Sequence, residues 1–137
     1  MDMSITELVV DTSALLAVLL DEPERPALIT RTQGAALLVP GSVPWEVGKA
    51  LIAGFRRKRL NARQVREAWT SFERVPLRSV SIVVDKALEL AEQLGLYAYD
   101  AYVLEAVRAY RVPLLTIDNR LRGAAAQLGL QVWEVIP

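Results

Sequence analysis

The stretch Glu7-Leu8-Val9-Val10-Asp11-Thr12-Ser13-Ala14-Leu15-Leu16-Ala17-Val18-Leu19-Leu20 decides the fold of this chain. Leu8 to Val10 form an apolar run of the kind a strand covered on both faces requires. Asp11-Thr12-Ser13 is a polar turn, and the apolar residues after it recur at helical spacing. A buried strand running through a short polar turn into an apolar helix is one unit of an open parallel sheet. In such sheets, ligands bind beyond the carboxyl ends of the strands. Asp11 stands at that position with a charge that is costly to bury. Leu114-Leu115-Thr116-Ile117-Asp118-Asn119 repeats the arrangement near the other end of the chain.

The same reading extends between these units. Helices are expected over 13–20, 24–33, 42–59, 62–73, 100–111 and 119–128, with a further amphipathic helix carrying Val80, Val83, Val84, Ala87, Leu88 and Ala91 and closing near Gly95. Strands are expected over 8–10, 36–39, 113–116 and 131–135. Val75-Pro76-Leu77 reads as an edge strand because of its proline. Strands and helices alternate without repeats or low-complexity linkers. The expected fold is therefore α/β and three-layered: a mainly parallel central sheet of four to five strands flanked by helices, in one domain over residues 1–137.

Composition narrows the chemistry. Of the 137 residues, 53% are hydrophobic and 23% charged, which excludes long disordered stretches. Lys plus Arg and Asp plus Glu are balanced at 16 each, so no overall positive field exists to attract nucleic acid. Arg56, Arg57, Lys58, Arg59, Arg63 and Arg66 nevertheless crowd into one segment, either to track a phosphate backbone or as a solvated helix end. There is no cysteine and no histidine. Disulfides, thiolate nucleophiles, cysteine zinc sites and imidazole acid–base pairs are thereby excluded. Hydrolysis would have to run through carboxylates, hydroxyls, Lys/Arg, or a hard metal held by oxygen. The first apolar run is no leader segment: Asp2 and Glu7 replace a basic start, and Asp11 interrupts it. No run is long enough to cross a membrane. The lack of cysteine fits a cytoplasmic protein.

Four acids stand out. Asp11 and Asp118 each follow a strand, where an Asp also caps the next helix. Glu46 falls in the first turn of its helix, where the macrodipole favours it, on the flank of the stripe Val43, Val47, Ala50, Leu51. Asp100 heads a stripe containing Val103, Leu104 and Val107, and needs either capping donors or a cation. Brought together, such acids would repel one another and raise their proton affinities unless a cation intervened. Oxygen ligation selects Mg²⁺ or Mn²⁺, which can activate water for phosphodiester hydrolysis.

The motifs Val9-Val10-Asp11-Thr12-Ser13-Ala14-Leu15, Pro44-Trp45-Glu46-Val47, Tyr99-Asp100-Ala101-Tyr102 and Leu115-Thr116-Ile117-Asp118 resemble, in order, those of PIN domains. More narrowly, the chain resembles the VapC-type toxins of type II toxin–antitoxin pairs. The resemblance implies a metal-dependent endoribonuclease with Asp11, Glu46, Asp100 and Asp118 as its acids. Asp11 and Asp100 would be direct ligands, and Glu46 and Asp118 would ligate or act through water. Thr12, Ser13 and Thr116 match supporting hydroxyl positions, which turn and cap bonding also explains. The resemblance also implies an RNA substrate, a cognate VapB-like antitoxin, and a homodimer. Arg120 and Arg122, close to Asp118, join Arg56, Arg57, Lys58 and Arg59 as phosphate contacts. Leu121 departs from the pattern, standing where an aromatic residue is common. Two other readings stay open: a catalytically silent interaction module, and a phosphotransfer domain using Asp11 as nucleophile.

Overall fold

The computed structural model describes residues 5–135, so Asp2 lies outside the described residues. The elements alternate in chain order as β1 (Glu7–Val10), α1 (Thr12–Leu19), α2 (Arg25–Thr32), β2 (Ala36–Pro40), α3 (Val43–Arg56), α4 (Ala62–Arg74), β3 (Leu77–Val80), α5 (Val84–Leu94), α6 (Ala98–Tyr110), β4 (Leu114–Leu115), α7 (Asn119–Gln127) and β5 (Val132–Trp133). The five strands form one sheet in the order β3-β2-β1-β4-β5, and every pairing is parallel. Val9 is in register with Leu38 on one side and Leu114 on the other.

Strand alternation divides the core into two layers. Leu8, Val10, Val39 and Leu115 point toward α1, α2, α3 and α4, where they meet Leu15, Leu28, Val47, Leu51 and Phe72. Val9, Leu38, Leu114 and Val80 point the other way, onto Leu90, Leu104, Val107 and Leu121 of α5, α6 and α7. Both faces of the central strands are thus covered, as their uninterrupted apolar runs demand.

The strand order fixes the place of the site. From β1 the chain moves outward through β2 and β3, then returns to β4 on the opposite flank of β1. The order reverses between β1 and β4, the position beyond whose carboxyl ends open α/β sheets bind their ligands. Asp11 and Asp118 follow these two neighbouring strands.

The last two strands are shorter than expected, Leu114–Leu115 and Val132–Trp133, and three other boundaries shift for physical reasons. The edge strand covers Leu77–Val80 instead of 75–77, because Pro76 has no N–H for the ladder and pairing begins after it. Val80 is therefore a buried strand residue, and Val83 and Val84 stand exposed at the start of α5. Helix α3 ends at Arg56, before the expected Arg59. Lys58 there adopts a left-handed φ of 60°. The Arg59 and Leu60 N–H groups both turn back to the Gly54 carbonyl, at 2.9 and 3.2 Å. Helix α6 begins at Ala98, two residues before Asp100, with Tyr97 as its cap.

Candidate active site

Asp11 leaves β1 in extended conformation, and its side chain caps α1 by accepting from the Ala14 N–H at 3.1 Å. Ser13 Oγ donates to both of its oxygens, at 2.8 and 2.9 Å. Thr116 Oγ1, beyond the end of β4, donates to Oδ2 at 2.8 Å. The Asp11 carboxylate is only 5% exposed, and three donors hold its orientation. Thr116 also accepts from the Asp118 N–H at 3.0 Å, so one buried hydroxyl ties the two strand ends together.

Asp118 caps α7: its Oδ1 accepts from the N–H groups of Arg120 at 2.8 Å and Leu121 at 3.3 Å. The expected capping role thus holds for both Asp11 and Asp118. Glu46, in the first turn of α3, keeps Oε2 buried with no hydrogen-bond partner among the described residues. Asp100 lies within the first turn of α6 and does not cap it. Its expected stripe is real, since Val103, Leu104 and Val107 are all buried.

Electrostatics place the four acids in one another's field. Burial raises the proton affinity of Asp11 above the usual carboxylate value, against its three hydrogen bonds, and the Asp118 charge adds to it. Burial also raises Glu46, with the charges of Asp100 and Asp11 adding to the effect. The Thr12 hydroxyl and Lys49 oppose this rise, although Thr12 Oγ1 itself has no well-formed hydrogen bond. Asp100 is raised by burial and by Asp118, and eased by Arg120.

The donor chemistry fits a hard divalent cation. Every side chain offered is an oxygen ligand, three of the acids hold protons too readily, and Glu46 Oε2 is a buried acceptor without a donor. Among the described residues no three acids converge in ligand geometry around one point. Ligation by one or two carboxylates completed by water is the mode that suits Mg²⁺.

The supporting hydroxyls divide. Ser13 and Thr116 brace Asp11, whereas Thr12 does not touch it. Leu121 is buried in the core below α7, so its departure from the motif is a matter of packing. The cations divide as well. Arg122 donates to the Thr116 carbonyl at 3.1 Å and its Nε is buried, so it braces the turn after β4 instead of reaching into solvent. Arg56, Arg57, Lys58 and Arg59 are exposed but lie at the far end of α3, about 15 Å along the helix axis from Glu46. The structure therefore does not bring them to the acids. Sequence reasoning missed Lys49, one turn beyond Glu46, and Tyr97 and Tyr99, whose rings lie beside the cations Arg120 and Lys49. Lys49 at i+3 from Glu46 was the one signal available.

Comparison with known proteins follows this geometry. The PIN domain family matches residues 8–127. No curated protein matches the chain. Among solved structures it is similar to PAE2754 from Pyrobaculum aerophilum, at 24% identity over 87% of this chain and 86% of that one, with a TM-score of 0.62. It is similar to VapBC2 from Rickettsia felis, bound to a DNA fragment from its promoter, at 11% identity, 96% and 100% coverage, and a TM-score of 0.66. It is also similar to VapC20 of Mycobacterium tuberculosis, a sarcin-ricin loop cleaving toxin, at 17% identity, 95% and 99% coverage, and a TM-score of 0.63. At these identities the structures speak for the fold, and the family match covers both strand-end acids, Glu46 and Asp100. The chain belongs to the PIN domain family.

Proposed function

We propose that this protein is a Mg²⁺- or Mn²⁺-dependent endoribonuclease, the toxin of a toxin–antitoxin pair, held silent in the cytoplasm by a VapB-like antitoxin. What supports this reading is the mutual charge effect among Asp11, Glu46, Asp100 and Asp118, two of which follow the neighbouring strands β1 and β4, in a PIN domain with no histidine or cysteine. One similar structure is a sarcin-ricin loop cleaving toxin and another, from Klebsiella pneumoniae, is a toxin-antitoxin complex, which supports a nuclease toxin with an antitoxin partner. Among the described residues no helix is long and apolar enough to cross a membrane.

A divalent ion bound by these acids would lower the pKa of its water and stabilise charge on the leaving oxygen. The chain's own residues do the rest. Ser13, Ala14 and Thr116 fix Asp11 as a ligand of set direction. Asp100 would be the second direct ligand. Asp118, held by the α7 N–H groups, would ligate or orient a water. Glu46 Oε2, buried and unpartnered, is the open acceptor for a proton from the attacking water.

An apolar groove of about 370 Å³ opens between α1, α2 and the sheet, lined by Leu15, Val18, Leu19, Leu28 and Val75. It reaches Val10 and Ala14, which flank Asp11, and suits an apolar antitoxin segment that ends near the acids. Exposed Val83, Val84 and Leu88 on and before α5 offer an apolar face for a homodimer. The phosphotransfer alternative fares worse, because Asp11 is buried with both oxygens already bonded.

The test is cleavage of RNA by purified protein in Mg²⁺, Mn²⁺ or EDTA, beside Asp11→Asn and Asp100→Asn. Cleavage that needs the metal and is lost in both variants is expected. Activity surviving EDTA and both substitutions refutes the assignment. Absent cleavage with retained antitoxin binding would instead identify a silent module.

A further inference from the structure

Acids repel a phosphate backbone, so a polyanionic substrate needs cations close to them. The run Arg56–Arg59 is too distant along α3 to provide them, and Arg122 is committed to the Thr116 carbonyl. Two cations remain, and each stands over a ring. Lys49 Nζ lies 5.8 Å from the Tyr99 ring centroid, and Arg120 Cζ lies 5.8 Å from that of Tyr97. Lys49 acts electrostatically on Glu46, and Arg120 acts on Asp100. Asp118 Oδ1 accepts from the Arg120 N–H at 2.8 Å, and Lys49 follows Glu46 by one turn of α3, so both pairs border the acids. Neither Lys49 nor Arg120 makes a salt bridge among the described residues.

Tyr97 is 73% exposed, and its side chain makes no capping bond although the residue caps α6. Its contact with Arg120 is near the outer limit of a cation–π interaction, about 6 Å, where the gain at an exposed site is small. The fold thus takes little from this ring. What remains is an exposed planar apolar surface and a guanidinium beside Asp118 and Asp100. Stacking on aromatic faces and phosphate contact by cations are the two elements of single-strand recognition.

We propose that Tyr97 and Arg120 seat the nucleotide next to the scissile phosphate, the ring stacking on its base and the guanidinium contacting a phosphate oxygen. The inference rests on the nuclease reading and adds the residues that position its substrate. A base must be unpaired and turned out to reach the ring, so duplex RNA is disfavoured at this position.

Binding of a single-stranded RNA decamer, carrying 2-aminopurine at each position in turn, is measured in EDTA by anisotropy and fluorescence. Tyr97→Ala is expected to weaken binding about tenfold, and Tyr97→Phe to stay within about twofold. Arg120→Ala is expected to reduce the slope of log binding against log salt by about 0.7. Quenching of 2-aminopurine at one position should disappear in Tyr97→Ala and persist in Tyr97→Phe. Equal binding by wild type and Tyr97→Ala, or equal loss in the Phe and Ala variants, overturns the proposal. So does a change in oligomeric state by sedimentation for Tyr97→Ala with RNA binding intact, which would make the ring a protein contact. Because binding is read without metal, the two readings fail separately. Tyr97-dependent binding with no cleavage in Mg²⁺ refutes the nuclease alone, and normal cleavage kinetics in Tyr97→Ala refute the seat alone.

Discussion

Replacing Thr116 by valine removes one oxygen and almost no volume, and the structure predicts a large effect. Thr116 is fully buried. Its hydroxyl donates to Asp11 Oδ2 at 2.8 Å and accepts from the Asp118 N–H at 3.0 Å. The first is a hydrogen bond to a charged group, worth about 1.5–3 kcal/mol. The second is a neutral bond, worth about 0.5–1.5 kcal/mol. Together they give a loss of about 2–4.5 kcal/mol, with Asp11 retaining Ser13 and Ala14 as donors. At about 2.1 cal/mol/K per residue the unfolding entropy of the 137-residue chain is about 0.29 kcal/mol/K, so Tm should fall by about 7–16 °C. Urea titration should show an unchanged m value and a lower midpoint. Thr116→Ser, which keeps the oxygen and drops a methyl group, separates the hydroxyl from the packing. If valine costs less than about 0.5 kcal/mol, or serine costs more than valine, the hydroxyl is not the tie between the strand ends.

The remaining predictions concern the acids. Asp11, Glu46 and Asp100 all have folded proton affinities above the ordinary values of 3.8, 4.5 and 3.8. The folded chain therefore binds more protons than the unfolded chain from those values up to the raised ones, and stability falls as pH rises through that window. Glu46→Gln should flatten the fall, and parallel pH profiles of the urea midpoint in EDTA for the two proteins would contradict it. Mg²⁺ at about 100 times its Kd should add about 2.7 kcal/mol, or about 9 °C in Tm, at neutral pH and lose this effect as falling pH protonates the acids. A metal effect independent of pH, read by thermal denaturation, would count against carboxylate ligation. Asp118→Asn preserves the α7 cap and removes a charge felt by Asp11 and Asp100. It should leave Tm equal or higher while lowering RNA cleavage at least about tenfold, and a clear loss of Tm would show that Asp118 acts mainly in the fold.

The fold was legible because its central strands have two buried faces. Val9 meets Leu38 and Leu114 while Leu8 and Val10 face the opposite layer, so no residue of the run can be polar, and the run is visible at a glance. The shifted boundaries are places where the local signal was weak or shared. No glycine marks the end of α3, since Lys58 takes the left-handed conformation itself. No Ser, Thr, Asp or Asn precedes α6, whose cap is a tyrosine without a side-chain bond, so the helix start was read at the first acid instead. Pro76 was read as part of the edge strand, whereas ladder pairing starts at the next residue.

The site was legible to the extent that its residues also serve the backbone. Asp11 and Asp118 are visible as strand-end caps, and each does cap. Glu46 and Asp100 have no such duty, and only their order among the motifs and the apolar stripes beside them singled them out. What escaped was carried by pairs distant in sequence. Lys49 reaches Tyr99 across the gap between α3 and α6, whereas Thr116, which reaches Asp11 across 105 residues, was visible through its place in the motif order. Arg122 illustrates the converse. Its charge beside Asp118 suggested a phosphate contact, but a guanidinium four residues after a cap points back along the helix to the carbonyl that precedes it. Arg120, two residues after the cap, lies on another side of α7 and stays exposed. Two arginines of equal charge thus receive different work from helical phase, one bracing the turn after β4 and the other standing free beside the acids.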